Sequence, residues 1–190
     1  MRNVILYMHV SLDGFTAGPN GEMDWIASDD ELWDDVMELQ STADAALFGR
    51  VNYQGFEDYW RSGAVNQASS KPEIEHAQWL NQSTKIVFSR TLDKVDWPNT
   101  RIVKDHIAEE IANLKQQPGK NIILFGGADI AAAFMKLGLI DEYRINVNPV
   151  VLGRGKPLFQ DLHDKINLKL VESKVFKSGV VALHYAADRS

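Results

Sequence analysis

Apolar and polar positions along this chain follow two rhythms, one of strands and one of helices. Val4 to Val10 is a nearly unbroken apolar run and Ile122 to Phe125 is another. Both have the length of strands buried on two faces, which places them in mid-sheet. Between them, "DAALFGR" and "KIVFSR" are two more short apolar runs, each closed by a polar or glycine-containing step, and they add two strands. After Ser28, Leu32, Val36 and Leu39 fall at i, i+4 and i+7. This predicts a helix with Ser28 as its N-cap and Glu31 completing a capping box. Ile107, Ile111 and Leu114 repeat the helical spacing, as do Ile130, Phe134 and Leu137.

From Glu142 the period changes. Tyr143, Ile145 and Val147 alternate with Arg144, Asn146 and Asn148, the two-residue repeat of a half-buried strand. "LKLVESKVF" and "VVALHY" then pair through Lys177, Ser178 and Gly179, which read as a hairpin turn. Alternating strands and helices followed by a terminal hairpin predict an α/β fold. Its mainly parallel mixed central sheet is flanked by helices and carries a C-terminal antiparallel hairpin. No repeat, low-complexity tract or linker interrupts it, so residues 1–190 read as a single domain.

Composition narrows the possible functions. The chain has 190 residues, 45% hydrophobic and 24% charged, which is ample for one core and unlike a disordered protein. Twenty basic against 26 acidic residues give a net charge of -6 without a basic run, which argues against a nucleic-acid partner. No apolar stretch has the length of a bilayer span, and the N-terminal segment carries no cleavage-site pattern, so no membrane association and a cytoplasmic location are expected. With no cysteine, disulfides, thiol nucleophiles and thiolate metal sites are excluded. The five histidines form neither HxH nor HExxH, and no metal site is expected.

Three junctions share one character: "LFGRVN", "VFSRTL" and "LFGGAD". Each sets small or hydroxyl residues, and in two cases an arginine, where an apolar strand finishes. Ligands of open α/β sheets gather beyond the carboxyl ends of strands, so three such ends suit one extended ligand of dinucleotide size. Gly126 and Gly127 open a helix and admit a pyrophosphate to bare backbone N–H groups. Arg50 and Arg90 offer planar forks to phosphate oxygens, and Ser89 adds a hydroxyl. The plainer alternatives are a tight turn at the glycines and solvated arginines at strand ends. G-x-G-x-x-G, the Walker loop and G-x-S-x-G are all absent.

Toward the front, "SLDGFTAGPNGEMDW" is a long loop of the kind that serves as a lid. Trp25 supplies an aromatic wall beside the acids Asp29, Asp30 and Glu31, for which helix-dipole complementarity is the plainer role.

The segments "MHVSLDGFTAG", "ALFGRVNYQGF", "KIVFSRTL" and "LFGGADIAAAFMKLGLIDEYRINVNPVVLGRGKPLF" span nearly the whole chain. They resemble the dihydrofolate-reductase-like superfamily. Within it they resemble the C-terminal reductase domain of bifunctional riboflavin-biosynthesis deaminase/reductases. The resemblance implies NADPH as cofactor, held at its pyrophosphate by Gly49, Arg50 and Val51 and by Gly126, Gly127, Ala128, Asp129 and Ile130. Ser89 and Arg90 would then lie near the adenosine 2′-phosphate. It also implies hydride transfer to a small heterocyclic or carbonyl substrate between the Asp13 loop and the helix after Ser28. Trp25, Tyr53 and Phe125 line that substrate in this reading, and Asp13, Asp30 and Glu31 are the candidate acids. Homodimers are common in the group, and the alternating C-terminal strands suit such an interface.

Two positions depart from the riboflavin pattern. Phe125 stands where a glutamate usually precedes the glycine pair, and Tyr7 stands where the first strand usually has a lysine. Both changes remove polar groups expected to hold a phosphoribosyl-aminopyrimidine, and the deaminase half is missing. A stand-alone reductase of unassigned substrate is therefore expected. The alternatives are a non-catalytic nucleotide-binding sensor or scaffold, which the bulk of Phe125 and Tyr7 favours, and a structural domain whose glycines serve only turns.

Overall fold

The apolar run at the N-terminus forms β1 (Val4–Ser11), and its neighbours on both sides are parallel to it. In the computed structural model, which describes residues 1–61 and 69–189, eight strands form one sheet. They are β1, β3 (Ala43–Gly49), β4 (Thr84–Phe88), β5 (Thr100–Val103), β6 (Asn121–Leu124), β7 (Glu142–Asn148), β9 (Leu168–Val175) and β10 (Val181–Ala187). Their order is β5-β4-β3-β6-β1-β7-β10-β9, parallel from β5 to β7 and antiparallel at β10 and β9. The apolar runs of β1 and β6 lie side by side in mid-sheet, as their two-sided burial requires. A small ribbon pairs β2 (Phe15–Ala17) with β8 (Lys156–Pro157).

The helices are α1 (Asp30–Ser41), α2 (Arg50–Phe56), α3 (Lys71–Gln82), α4 (Ile107–Gln116) and α5 (Ala128–Lys136), and a π-type turn, Glu57–Arg61, extends α2. Alternation along β1 divides the core in two. Val4, Leu6, Met8 and Val10 pack with Ile111, Leu114, Ile130 and Phe134 of α4 and α5. Ile5 and Tyr7 pack with Val36 and Leu39 of α1, Leu80 of α3 and Phe125.

Several expectations are corrected. Asp29, not Ser28, caps α1: its side chain accepts from the Leu32 amide at 2.8 Å and from the Ser178 amide at 2.6 Å. The pull of the hairpin turn on the second oxygen chooses Asp29 over its neighbour. The capping box belongs to α3, where Ser70 and Glu73 bond reciprocally. The polar side of β7 does not face water: Asn146 and Asn148 are 1% and 0% exposed, and Asn148 accepts from the Ala27 amide of the loop that precedes α1. Helices α2 and α3 and strand β5 carry too little apolar periodicity to be read from the pattern.

Candidate functional site

Strands β3 and β6 lie side by side; α2 starts directly from β3, and Phe125 to Gly127 join β6 to α5. The N-cap of α2 is Gly49 and that of α5 is Gly127, and neither helix has a side-chain cap, whereas Asp29 and Ser70 cap α1 and α3. The Gly49 amide donates to the Gly126 carbonyl at 2.9 Å, which ties the two helix starts together. Each leaves first-turn N–H groups unspent at the positive end of its dipole. The glycines have distinct reasons. At Gly126, φ is +86° and an added Cβ would stand 2.6 Å from Met8 Sδ. A Cβ on Gly49 would press Ile130 Cγ2 at 3.2 Å. At Gly127 a Cβ would meet nothing within 4 Å among the described residues, so its absence leaves an open cradle above the amides. An anionic group fits there.

Around this cradle the other cofactor candidates spread outward. Arg50 is exposed and its guanidinium donates to Gln54 at 3.3 Å. Val51 is 63% exposed, while Ala128 and Ile130 are buried in the wall. Asp129 accepts from Gln160 Nε2 at 3.0 Å. At the end of β4, Ser89 Oγ accepts from the Leu92 amide at 3.0 Å, and Arg90 pairs with Asp105 at 3.2 Å across an exposed surface. The three junctions therefore lie at one end of the sheet, beyond the carboxyl ends of the adjacent parallel strands β4, β3 and β6.

On the α1 side of the cradle lies an aromatic wall. Phe125 is its hub, stacked on Phe48 with centroids 5.6 Å apart and meeting Phe56 at 5.3 Å, Tyr7 at 6.1 Å and His76 at 6.2 Å. His76 in turn touches Trp60 at 4.4 Å and Trp33 at 5.7 Å. Gln40 Nε2 donates to His76 Nδ1 at 2.5 Å, and burial lowers the ring's pKa to about 3, so it is neutral at physiological pH. Below this wall is a polar stripe on the same sheet face: Tyr7 and His9 of β1 pair across with Arg144 and Asn146 of β7. Asp35 of α1 covers the stripe, 7% exposed, with Lys174 Nζ at 2.6 Å and Arg144 Nη1 at 3.9 Å.

The structure does not gather the three candidate acids at this face. Asp13 accepts from the Ser11 hydroxyl at 2.7 Å and from the Leu152 and Gly153 amides at 3.1 and 2.7 Å. The Ser11 hydroxyl first, and then those amides, hold its carboxyl below the usual carboxylate range, so it stays ionised and ties two loops. Asp30 is exposed in the first turn of α1, and Glu31 pairs with Lys177 at 2.9 Å on the surface. Of the aromatic candidates, Phe125 is in the wall. Tyr53 is 1% exposed, packed on Phe48 and Trp97, so its ring has no face for a ligand. Burial pushes its phenol up to about 12. Trp25 donates its indole N–H to the Glu22 carbonyl of its own loop at 3.0 Å.

Asp35, His9, Trp33 and His76 were not read as site residues from the sequence. Asp35 did carry a signal, since it stands at i+3 from Leu32 inside the stripe that Leu32, Val36 and Leu39 define. An acid on an apolar stripe must be paired once the stripe is buried.

Comparison with known proteins agrees with this architecture. The chain is 41% identical over 187 residues to the uncharacterized protein YyaP of Bacillus subtilis, covering 97% of this chain and 94% of that protein. A provisionally assigned riboflavin biosynthesis protein from Shewanella sp. PV-4 superposes with a TM-score of 0.78 at 22% identity, with all of both chains covered. Dihydrofolate reductase from Enterococcus faecalis, complexed with NADP(H), superposes with a TM-score of 0.63 at 12% identity over 98% of this chain and 96% of its own. These two likenesses establish a dihydrofolate-reductase-like fold. The RibD C-terminal domain family matches residues 2–182. With the tied glycine-capped helices and the mostly parallel sheet already described, that match over nearly the whole chain makes this protein a member of the RibD C-terminal domain family, a reductase-type family.

Proposed function

We propose that residues 1–190 form one NADPH-dependent reductase domain that transfers hydride to a small heterocyclic or carbonyl substrate. The observation that carries this reading is the pair of uncapped helix starts tied through Gly49 and Gly126 beneath the open space at Gly127. Two dipole ends side by side suit a pyrophosphate better than a single phosphate does. Gly49, Arg50 and Val51 hold it from α2, and Gly127 to Ile130 hold it from α5. Ser89 and Arg90, one strand outward, receive the 2′-phosphate that separates NADPH from NADH. When bound, the cofactor supplies the hydride. The chain's own part is to hold it at the strand ends, place the acceptor against the aromatic wall and keep water away.

Membership of a reductase-type family supports the same reading. The wall around Phe125 favours a flat, weakly charged ring, because Asp35 already engages the cations of Arg144 and Lys174. The protein is read as cytoplasmic; no helix among the described residues is long and apolar enough to cross a membrane. It is also read as a homodimer, joined through the C-terminal strands where Leu170, Val171 and Val175 are 53%, 57% and 75% exposed.

The test is calorimetric titration with NADPH and NADH. NADPH binds more tightly, Arg90→Ala narrows the gap, and Gly127→Ala, whose Cβ enters the open cradle, abolishes binding while circular dichroism stays unchanged. An absence of heat with both cofactors defeats the proposal.

A further inference from the structure

The turn from Phe125 to Gly127 joins β6 to α5, and its two glycines give it little of its own to hold one conformation. Gly126 sits at a φ of +86° and Gly127 brings no Cβ to pack. What fixes this turn comes from β3 and α2. The Phe125 amide donates to the Leu47 carbonyl at 3.0 Å, and the Gly126 carbonyl accepts from the Gly49 amide at 2.9 Å. Those two ties are backbone. The third is a side chain: Asn52, half-buried in the first turn of α2, donates from Nδ2 to the Phe125 carbonyl at 2.7 Å. A carbonyl oxygen only accepts, so this contact settles which way the Asn52 amide points.

Asn52 thus bridges the parts of the site. Its backbone belongs to α2, which the π-type turn continues to Arg61, and its side chain grips the residue that leads into α5. The ring of that same residue, Phe125, is the hub of the aromatic wall. Each helix keeps its own backbone hydrogen bonds without this contact, so what the contact adds is the fixed placement of one against the other. A ligand feels that placement only if it reaches both. Strands β4, β3 and β6 are successive neighbours, spaced about 4.8 Å apart. A nucleotide anchored at Ser89 and Arg90, beyond β4, brings its first 5′-phosphate past the end of β3. Only its second 5′-phosphate comes past the end of β6, onto the turn that Asn52 holds.

We propose that Asn52 is a positioning residue: through the Phe125 carbonyl it sets the glycine turn at the distance from α2 that the cofactor's pyrophosphate requires. That the pyrophosphate belongs to NADPH rests on the reductase reading; the hold on the turn does not.

Two probes differ by the one group in question: adenosine 2′,5′-bisphosphate, and the same nucleotide carrying a 5′-diphosphate. Calorimetry on the full chain is expected to show the diphosphate binding at least about tenfold more tightly. Asn52→Leu keeps the bulk and removes the donor. It should lower that preference about tenfold, the worth of one hydrogen bond, while affinity for the monophosphate stays within about twofold. Hydrogen exchange of the unliganded variant should show the Gly49 amide, the donor to Gly126, losing protection while the amides of β1 keep theirs. A residue that only stabilised the fold would weaken both probes alike. One that only touched the ligand would leave Gly49 protected.

Equal losses with both probes, unchanged protection at Gly49, or a diphosphate preference that survives Asn52→Leu each overturns the inference, and the last of these leaves the reductase reading standing. If Asn52→Leu does not fold, Asn52→Ala is judged by the same two measurements. A wild type without a diphosphate preference also overturns the inference, and one that binds neither probe nor NADPH overturns the reductase reading with it.

Discussion

Gly126→Ala offers the sharpest test of how the cradle is built. The left-handed φ of +86° at this position costs an alanine about 1–2 kcal/mol. Its Cβ would also stand 2.6 Å from Met8 Sδ and 3.1 Å from Met8 Cε, an overpacking that costs about 1–3 kcal/mol in a close-packed core. Met8 is flexible, so the lower half of that range applies, and the sum is about 2–4 kcal/mol. In a domain of this size that lowers Tm by about 5–15 °C. The assay is urea unfolding, followed by tryptophan fluorescence, of Gly126→Ala, Met8→Ala and the double variant. In the Met8→Ala background only the backbone cost remains, so the cycle returns a coupling of about 1–2 kcal/mol. A single-variant loss under about 0.5 kcal/mol, or an equal loss in both backgrounds, refutes the reasoning.

Other outcomes follow from the same geometry. Lys85 is 0% exposed, donates to the Leu80 and Ser83 carbonyls, and burial lowers its pKa to about 8. Between that value and its unfolded value of about 10.5 the unfolded chain holds the proton and the folded one does not, so stability rises with pH across the window. Relative to Lys85→Met the wild type should gain up to roughly 3 kcal/mol there, read by urea titrations at a series of pH values. Asp35→Asn removes the carboxylate from Arg144 and leaves Lys174 only the longer contacts to Glu172 and Glu38, at 3.7 and 3.8 Å, and should cost about 2–4 kcal/mol with an unchanged denaturant slope. Asp29→Ala, which frees the Leu32 and Ser178 amides, should cost about 1–3 kcal/mol, whereas Ser28→Ala should stay within about 0.5 kcal/mol; thermal melts of the two variants distinguish them.

The strand ends that form the cradle are legible in the sequence. Four apolar runs ending in glycine, serine or arginine announce strand ends, and strand ends in a parallel sheet converge by topology, so Gly49, Ser89 and Gly126 were found together. The acids were not legible in the same way. Asp30 and Glu31 were chosen because they stand at a helix start, yet the residue turned inward is Asp35, one turn further along the stripe. Which acid faces the sheet depends on the rotation of α1, and that is set by Asp29 reaching Ser178 from a hairpin about 150 residues away in sequence. Asn146 and Asn148 follow the same logic, since alternation tells which side they share and not that this side is buried.

The chain's pattern alone determined the strand and helix rhythm, the buried middle strands, the terminal hairpin and the glycine junctions, because periodicity and backbone freedom are properties of neighbouring residues. Only the tertiary structure decided that two bare helix starts are tied at Gly49 and Gly126, that Phe125 gathers an aromatic wall, and that Asp35 turns inward to Lys174 and Arg144. Those depend on contacts between residues far apart in sequence. Burial gives such contacts their energy, and burial exists only once the sheet has formed.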